Sequence, residues 1–322
     1  MDGTGINQLW TGTLAVLHNL KCLDLSNCKI LIEIPNLTGV QNLEKIYVTG
    51  CTNLCEIHPS IKVLKQIQTI VMHGTGIKQL WTGTLAILHN LKCLDLCNCK
   101  NLIEIPDLTG AQNLEEIYLT GCTNLCEIHP SIKVLKQIQT IVMHGAGIKQ
   151  LWTGTLAILH NLKCLDLCNC KNLIEIPDLT GAQNLEEIYL TGCTNLCEIH
   201  PSIKVLKQIQ KIVMDWTRIK QLWTGTLAVL HNLKCLDLSN CKNLIEITNL
   251  TGVQNLEKIY LTGCTNLCEI HPSIKVLKQI LRIVMAGTGI KQLWTGTLAD
   301  SYTNTISLYI IIYYNISLYY IL

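Results

Sequence analysis

Phenylalanine is absent from the 322 residues, so leucine and isoleucine must fill whatever core the chain builds. Charged residues are also few: they make up 15% of the chain against 48% hydrophobic residues, which excludes a disordered polar chain. The formal net charge is only +2, and lysine and arginine are interspersed with aspartate and glutamate. The composition therefore gives no electrostatic argument for binding nucleic acid or an anionic membrane surface.

The first residues show no secretory signal. The stretch MDGTGINQLW contains neither a basic segment nor an apolar run. Cysteine is nevertheless abundant, with 18 residues in the chain. We therefore expect a cytoplasmic protein whose cysteines are thiols in a reducing compartment.

The main positive feature of the sequence is a repeat. The motif QLWTGTLA returns every 71 residues, from Trp10 to Trp294. Three lines divide each period: LKCLDLSNC from Leu20, LEKIYVTGC from Leu43 and IQTIVMHGT from Ile67, and successive starts are 23, 24 and 24 residues apart. Each line has the form apolar-x-x-apolar-x-apolar-x-x-(Cys or Thr). This form matches the pattern L-x-x-L-x-L-x-x-N/C, which is typical of leucine-rich repeats.

Twelve consecutive units follow this pattern. One unit cannot bury its apolar strand face alone, so stacked units are expected to form a parallel sheet around a continuous core. The predicted fold class is an α/β repeat: a curved leucine-rich-repeat solenoid with a parallel β-sheet on the concave face and an irregular or 3₁₀ convex side. Pro106, Gly110 and Pro130 favour turns or short 3₁₀ helices in the return segments. The units begin at Leu20, Leu43, Ile67, Leu91, Leu114, Ile138, Leu162, Leu185, Ile209, Leu233, Leu256 and Ile280.

The repeat pattern predicts one solenoid domain over residues 1–299. It starts in the middle of a unit, since Met1 aligns with Met72, and neither end has the polar outer face of a capping repeat. Residues 300–322 form a non-repeat tail rich in tyrosine and isoleucine. The uncharged part of this tail is long enough to cross a membrane. Its serine, threonine and asparagine residues and its lack of a basic flank favour an artefactual, disordered or strand-like tail over a membrane anchor.

The open face of the predicted sheet is the candidate functional surface. Positions 4 and 6 of each unit should point into the core, while positions 3, 5 and 7 should lie on the concave face. Such faces are usual binding surfaces of solenoids, and tyrosine supplies contact area there at low entropic cost. A solvated face without a partner is the alternative. The candidate protein-binding residues are Asp95, Glu116, Tyr118, Val142, His144, Asp166, Glu187, Tyr189, Val213, Asp237 and Tyr260.

The cysteines are interpreted as architecture. In the stretch CLDLCNC, Cys93 and Cys97 share one face of a strand roughly 13 Å apart, which excludes a disulfide or a shared metal ion between them. The segment CTNLCEIH suggests zinc through Cys122, Cys126 and His129, but a tetrahedral site needs a fourth ligand, so a structural role is favoured over a metal site. Position 9 is predicted to form a buried ladder that bonds loop backbone, made of Cys28, Cys51, Cys99, Cys122, Cys170, Cys193, Cys241 and Cys264.

Catalytic residues are not indicated. Cysteine, histidine and aspartate are plentiful, but no pattern marks an activated nucleophile or an oxyanion turn. Ser131 and Ser202, in the HPSI segments, are expected in surface turns. The sequence therefore predicts neither an enzyme nor a cofactor site.

Four phrases in the repeats indicate a family: IKQLW, NLIEIPDLTG, LTGCTNL and EIHPSI. Through them residues 1–299 resemble the leucine-rich-repeat region of plant intracellular immune receptors, in the class with a Toll/interleukin-receptor-like domain and a nucleotide-binding domain. The resemblance implies recognition of a pathogen effector, or of other domains of the parent receptor, in the defence response.

The chain also departs from the family. No phosphate loop G-x-x-x-x-G-K-[ST] is present, so nucleotide binding is not implied. Thr248 replaces the proline of the other IEIP segments, and Asp215 and Trp216 replace a His-Gly pair. The alternatives are a truncated, pseudogene-like repeat fragment without independent function and a repeat protein tethered to a membrane through its tail.

Overall fold

The computed structural model describes residues 17–81, 87–152, 158–222 and 229–290, together with residues 5, 9 and 309–311. The chain divides into two compact units, Met1–Cys170 and Lys171–Leu322. In both units the described residues form short parallel strands and 3₁₀ helices, without an α-helix. We call the three-residue strands the face strands and the two-residue strands the return strands.

The first unit contains seven face strands that pair in parallel, each residue opposite the residue at the same repeat position of the next strand. In each strand the middle residue is buried and its two neighbours are exposed or half-buried, which is the alternation of a sheet with one face on a core. These face strands are Cys22–Asp24, Lys45–Tyr47, Thr69–Val71, Cys93–Asp95, Glu116–Tyr118, Thr140–Val142 and Cys164–Asp166.

The second unit repeats this arrangement with five face strands at the expected positions, all in parallel register. They are Glu187–Tyr189, Lys211–Val213, Cys235–Asp237, Lys258–Tyr260 and Arg282–Val284. A further strand, Tyr309–Ile311, pairs in parallel with Arg282–Val284, although it belongs to the non-repeat tail. The rest of the tail, and with it the prediction of an artefactual or disordered segment, lies outside the described residues.

The return segments carry the remaining structure. Each 3₁₀ helix begins at the proline of an HPSI segment, because proline has its φ already set and lacks only an N–H that the first turn does not use. The four helices are Pro59–Val63, Pro130–Val134, Pro201–Val205 and Pro272–Val276. The return strands pair in twos, and are Glu33–Ile34 with Glu56–Ile57, Glu104–Ile105 with Glu127–Ile128, Glu175–Ile176 with Glu198–Ile199, and Glu246–Ile247 with Glu269–Ile270.

Stacked leucine and isoleucine side chains make up most of the core of each unit, as expected for a chain without phenylalanine. In one repeat of the first unit Leu91, Leu94 and Leu96 are completely buried, and the corresponding residues of the other repeats are buried as well. Each such side chain stabilises the fold by about 1.5–3 kcal/mol relative to an exposed one. The predicted leucine-rich-repeat solenoid with a parallel sheet and an irregular or 3₁₀ return side is confirmed.

Position 8 of each unit, three residues beyond the end of the face strand, is in the left-handed conformation. Asn98 has φ 58° and Gly121 has φ 74°. A Cβ on Gly121 would overlap the side-chain oxygen of Asn98, so only glycine fits there. The same position in the third unit type is open, since a Cβ on Gly145 would meet no atom within 4 Å. In the second unit that open position is occupied by Trp216, with φ 61°.

Candidate protein-binding face

The outward side chains of the face strands, together with position 7 just beyond them, form what we call the strand face. The register places Asp95 opposite Tyr118, Tyr118 opposite Val142 and Val142 opposite Asp166 in the first unit. In the second unit the same order continues along Tyr189, Val213, Asp237 and Tyr260. Position 5 therefore presents repeating tyrosine, valine and aspartate on strands about 4.8 Å apart.

The predicted strand-face residues are only partly accessible. His144 is exposed, and the other ten candidates are half-buried. His144 lies beyond the end of its strand, where its Nε2 is 2.8 Å from the Asn169 amide nitrogen. Because the amide nitrogen can only donate, Nε2 of His144 is the acceptor in this contact. The strand face therefore exposes the His144 ring and parts of carboxylate, tyrosine and valine side chains.

Tyr118 and Tyr189 on the strand face stay neutral, because the pKa of each hydroxyl is raised. Burial raises the pKa of Tyr118 to about 12, and the carboxylate of Glu116 adds to the effect. In the second unit the Tyr189 hydroxyl donates to Glu187 Oε2 at 2.9 Å. A neutral, hydrogen-bonded tyrosine offers contact area and one polar group, which suits binding better than acid–base chemistry.

Lys211 is a strand-face residue that sequence reasoning did not select. Its Nζ lies 4.9 Å from the centre of the Tyr189 ring, within the range of a cation–π interaction. The corresponding residue of the preceding repeat is Thr140. The replacement of threonine by lysine inside an otherwise repeated segment was the signal that could have identified it.

The eight cysteines of position 9 are completely buried. The Cys99 thiol donates to the carbonyl oxygen of Met72 at 2.9 Å, and the Cys122 thiol donates to that of Leu96 at 3.1 Å. Bonds of the same kind, at 3.0–3.2 Å, are made by Cys51, Cys170, Cys241 and Cys264. Burial raises the pKa of the Cys170 thiol to about 12, which removes nucleophilic thiolate at neutral pH.

Two cysteines of the strand face, Cys93 and Cys97, are also poor nucleophiles because their pKa values are raised. Cys93 is in its strand, while Cys97 lies just beyond it and its backbone N–H donates to Asp95 Oδ1 at 2.9 Å. Burial raises the pKa of Cys93 to about 11 and that of Cys97 to about 12. All 18 cysteines of the chain are thiols. The arrangement therefore offers no activated cysteine nucleophile at these positions.

The possible zinc ligands of the CTNLCEIH segment make separate contacts and do not form a common site. Cys122 is buried in the ladder, and the exposed Cys126 donates to the carbonyl oxygen of Ile103 at 3.5 Å. His129 caps the following 3₁₀ helix, its Nδ1 accepting from the Ser131 backbone N–H at 3.2 Å. Across the described part of the chain no group of three or more histidine, cysteine, aspartate or glutamate side chains is arranged to hold a metal ion.

Ser131 and Ser202 are buried, so the expectation that they lie in surface turns is wrong. Each hydroxyl accepts the backbone N–H of the preceding repeat's leucine at 2.8 Å, Leu108 in the first case. Burying this polar pair satisfies a loop N–H that water cannot reach.

Ser131 and His129 lie close to Asp107 of the preceding repeat, but the three side chains do not form a catalytic triad. Asp107 Oδ1 lies 3.7 Å from Nδ1 of His129, the same ring nitrogen that receives the Ser131 N–H. A proton relay needs the acid and the nucleophile on different ring nitrogens. These three side chains therefore hold the turn and do not transfer protons.

The comparisons with known proteins agree with this architecture. The family model described as Leucine Rich Repeat matches residues 19–39. Among curated proteins of Arabidopsis thaliana, disease resistance protein RPP4 is 30% identical over 285 residues, covering 86% of this chain and 21% of that protein. Disease resistance protein RPP5 is 27% identical over 388 residues, covering 88% of this chain and 25% of that protein.

The chain therefore spans about a fifth to a quarter of the length of the curated relatives it matches. Among solved structures, a chain of the octameric complex of Latrophilin 3, Unc5D and FLRT2 (LRR) aligns with a TM-score of 0.55 at 13% identity. The alignment covers 77% of this chain and 76% of that chain. At this identity the likeness concerns the fold alone.

None of the helices in the described residues is long and apolar enough to cross a membrane. The 3₁₀ helices are five residues each, far below the roughly 20 residues that a spanning helix needs.

Proposed function

We propose that this chain, which is a leucine-rich-repeat region related to those of plant disease-resistance proteins, acts as a protein-recognition module in the plant defence response. A leucine-rich-repeat fold is a scaffold for protein interactions, and the relatives that match it over most of its length are disease-resistance proteins. The proposed partners are a pathogen effector or other domains of a parent receptor, and the proposed compartment is the cytoplasm.

The strand face carries this proposal. Its tyrosines and carboxylates repeat in register on neighbouring strands, so a partner could contact several repeats at once. Tyr118 and Tyr189 each combine a half-buried ring with a polar group, the type of residue enriched at interfaces. The ladder cysteines, His129, Ser131 and Ser202 serve the architecture, and we therefore propose binding without catalysis and without a cofactor.

A capture experiment tests the role of the strand face. The full chain would be immobilised and exposed to extracts of infected and uninfected plant tissue, beside the double variant Tyr118→Ser/Tyr189→Ser. A matched control, Lys136→Ser/Lys207→Ser, changes exposed side chains of the return segments. We expect a protein that is retained by the wild type and the control but lost by the face variant, and calorimetry with the purified partner should reproduce this order.

The opposite pattern would contradict the proposal. If the face variant retains every captured protein, recognition does not use the strand face. An unrelated immobilised protein of similar charge serves as the background control. If the chain retains no protein that this control does not also retain, a recognition role for the chain is excluded under those conditions. Circular dichroism of all variants separates loss of binding from loss of fold.

A further inference from the structure

The near-identity of successive 71-residue periods is interrupted by a cluster of changes at residues 211–218 of the second unit. Residues 76–139 are identical to residues 147–210, and then TIVMHGAG at 140–147 becomes KIVMDWTR at 211–218. The buried Ile212 and Met214 are unchanged. The exposed or half-buried side chains that differ define what we call the variant stripe: Lys211, Asp215, Trp216 and Arg218.

Trp216 is the least expected member of the stripe. It is 51% exposed and has φ 61°, in the position where the preceding repeat has Gly145. The left-handed conformation is unfavourable for an L side chain, and glycine adopts it freely. The fold does not need a large residue here, since Gly145 performs the same turn. A tryptophan held outward at this cost is what a contact with another molecule would require.

The chain path beyond the strand also differs. The Gly147 backbone N–H donates to the carbonyl oxygen of Cys122 at 3.2 Å, whereas the Arg218 N–H donates to that of Leu196 at 2.8 Å. A side chain on Gly147 would overlap the Thr123 carbonyl oxygen. The altered hydrogen bond accompanies an arginine at a position where the earlier repeat has room only for glycine.

Positive charge lies on both sides of Trp216. Beyond the strand, Arg218 and Lys242 are exposed on neighbouring repeats, and the Asn243 side-chain amide donates to the Arg218 carbonyl oxygen at 3.4 Å. Among the described residues neither cation has an acidic group within 4 Å. The single carboxylate of the stripe, on Asp215, accepts the Thr191 hydroxyl at 2.5 Å.

The other end of the stripe continues into a basic row. Lys211 pairs with Cys235, Cys235 with Lys258 and Lys258 with Arg282, in register. Three of these four neighbouring strands thus present a cation at position 3, and Lys258 and Arg282 are exposed. At the same position the last three strands of the first unit have Glu116, Thr140 and Cys164, without a cation.

We propose that the variant stripe docks an acidic segment of a protein partner. An apolar side chain of that segment packs on Trp216, while its carboxylates pair with Arg218 and Lys242 on one side and with Lys211 and its basic row on the other. Tryptophan and arginine are the residues most enriched at interface hot spots. The inference rests on the proposed function and deepens it, because it names the chemistry of the partner and the repeat that binds it.

A labelled peptide tests this chemistry directly. The probe is a fluorescein-labelled twelve-residue peptide of alternating glutamate and leucine, titrated with the full chain and followed by fluorescence anisotropy. The variant Trp216→Gly/Arg218→Gly restores the residues of the preceding repeat, so its fold should be retained. We expect its affinity to fall at least tenfold, and we expect a peptide with serine in place of leucine to bind at least tenfold more weakly than the probe.

A transplant provides the matched gain-of-function control. The variant Thr140→Lys/Gly145→Trp places two members of the stripe on the preceding repeat, where a Cβ at position 145 meets no neighbour. We expect a second, weaker binding site for the probe, because this repeat then has the lysine and the tryptophan but neither the arginine nor the basic row. Circular dichroism confirms that each variant is folded before titration.

Three outcomes would overturn the inference. The first is equal affinity of the wild type and Trp216→Gly/Arg218→Gly. The second is no binding of the probe by the wild type. The third is tighter binding of a single-stranded oligonucleotide of the same length, which would make the stripe a nucleic-acid site. Because the probe is synthetic, none of these results decides whether the strand face captures a defence partner, which the capture experiment measures separately.

Discussion

Replacing Thr248 by proline should stabilise the second unit. Thr248 stands where the other copies of the segment have Pro35, Pro106 and Pro177, and its hydroxyl is buried without a hydrogen-bond partner among the described residues. An unpaired buried hydroxyl costs about 1–3 kcal/mol. Proline at a compatible position adds about 0.4–1 kcal/mol by restricting the unfolded chain. We expect Thr248→Pro to raise the free energy of unfolding by about 2 kcal/mol.

The backbone at this position is suited to the change. Ile247, the preceding residue, is in a return strand, and an extended residue is what a following proline favours. The three proline-containing copies show that the repeat does not need an N–H at this point. The gain should therefore come without strain.

Urea denaturation followed by far-ultraviolet circular dichroism measures the effect. Thr248→Val removes the hydroxyl without adding the proline ring, and so separates the two contributions to stability. The reverse change in the first unit, Pro106→Thr, should lower the unfolding midpoint by an amount similar to the rise caused by Thr248→Pro. If Thr248→Pro leaves the midpoint unchanged while Pro106→Thr lowers it, the hydroxyl of Thr248 has a partner and the reasoning is wrong. The dependence of the unfolding free energy on urea concentration should be the same in all variants. A variant in which this slope changes has an altered unfolded state, and its midpoint does not measure the stability of the folded chain.

Three further predictions concern the turns and the cysteines. Burial raises the pKa of Asp107, but hydrogen bonds from Thr109 and the His129 charge outweigh it and hold the pKa below 3.8, as happens at Asp178. Stability should therefore be lost as pH falls below 3.8, and Asp107→Asn/Asp178→Asn should lose less in acid denaturation. Ser131→Ala leaves a buried N–H unpaired and should cost about 1–3 kcal/mol in urea unfolding, against less than about 0.5 kcal/mol for the strand-face control Ser239→Ala. Thiol titration with Ellman's reagent should first modify the five exposed cysteines, and reach the eight ladder cysteines only on unfolding; fast reaction of all thiols would refute their burial. The exposed five are Cys22, Cys55, Cys126, Cys197 and Cys268.

The strand positions could be predicted because the repeat is so regular. An apolar residue at position 4 and another at position 6 fix which side of the strand is buried, and the observed strands fall on positions 3 to 5 of all twelve units. The order of Asp95, Tyr118 and Val142 across neighbouring strands follows from the unit length alone. The ladder at position 9 was predicted from the same period, and its cysteines are buried. Whether the strand face binds a partner stays a prediction.

The return segments were less predictable, because their side chains bond to other repeats. Ser131 looks like a surface serine in the sequence, yet its hydroxyl is needed by a backbone N–H of the preceding repeat. His129 caps a helix through Nδ1, which accepts the backbone N–H of Ser131. These roles depend on which groups of neighbouring repeats meet, and a local motif does not contain that information.

The sequence by itself determined the repeat, the parallel sheet and the orientation of each leucine, because a period of 23 or 24 residues with alternating apolar positions has one way to bury its surface. Only the tertiary structure decided which of the other side chains are accessible. It placed Lys211 over the Tyr189 ring and left Trp216 exposed in a left-handed turn. Stacking brings together residues that are more than 20 positions apart in the sequence. The exposure of a side chain and the charge around it therefore depend on the residues of the adjacent repeats.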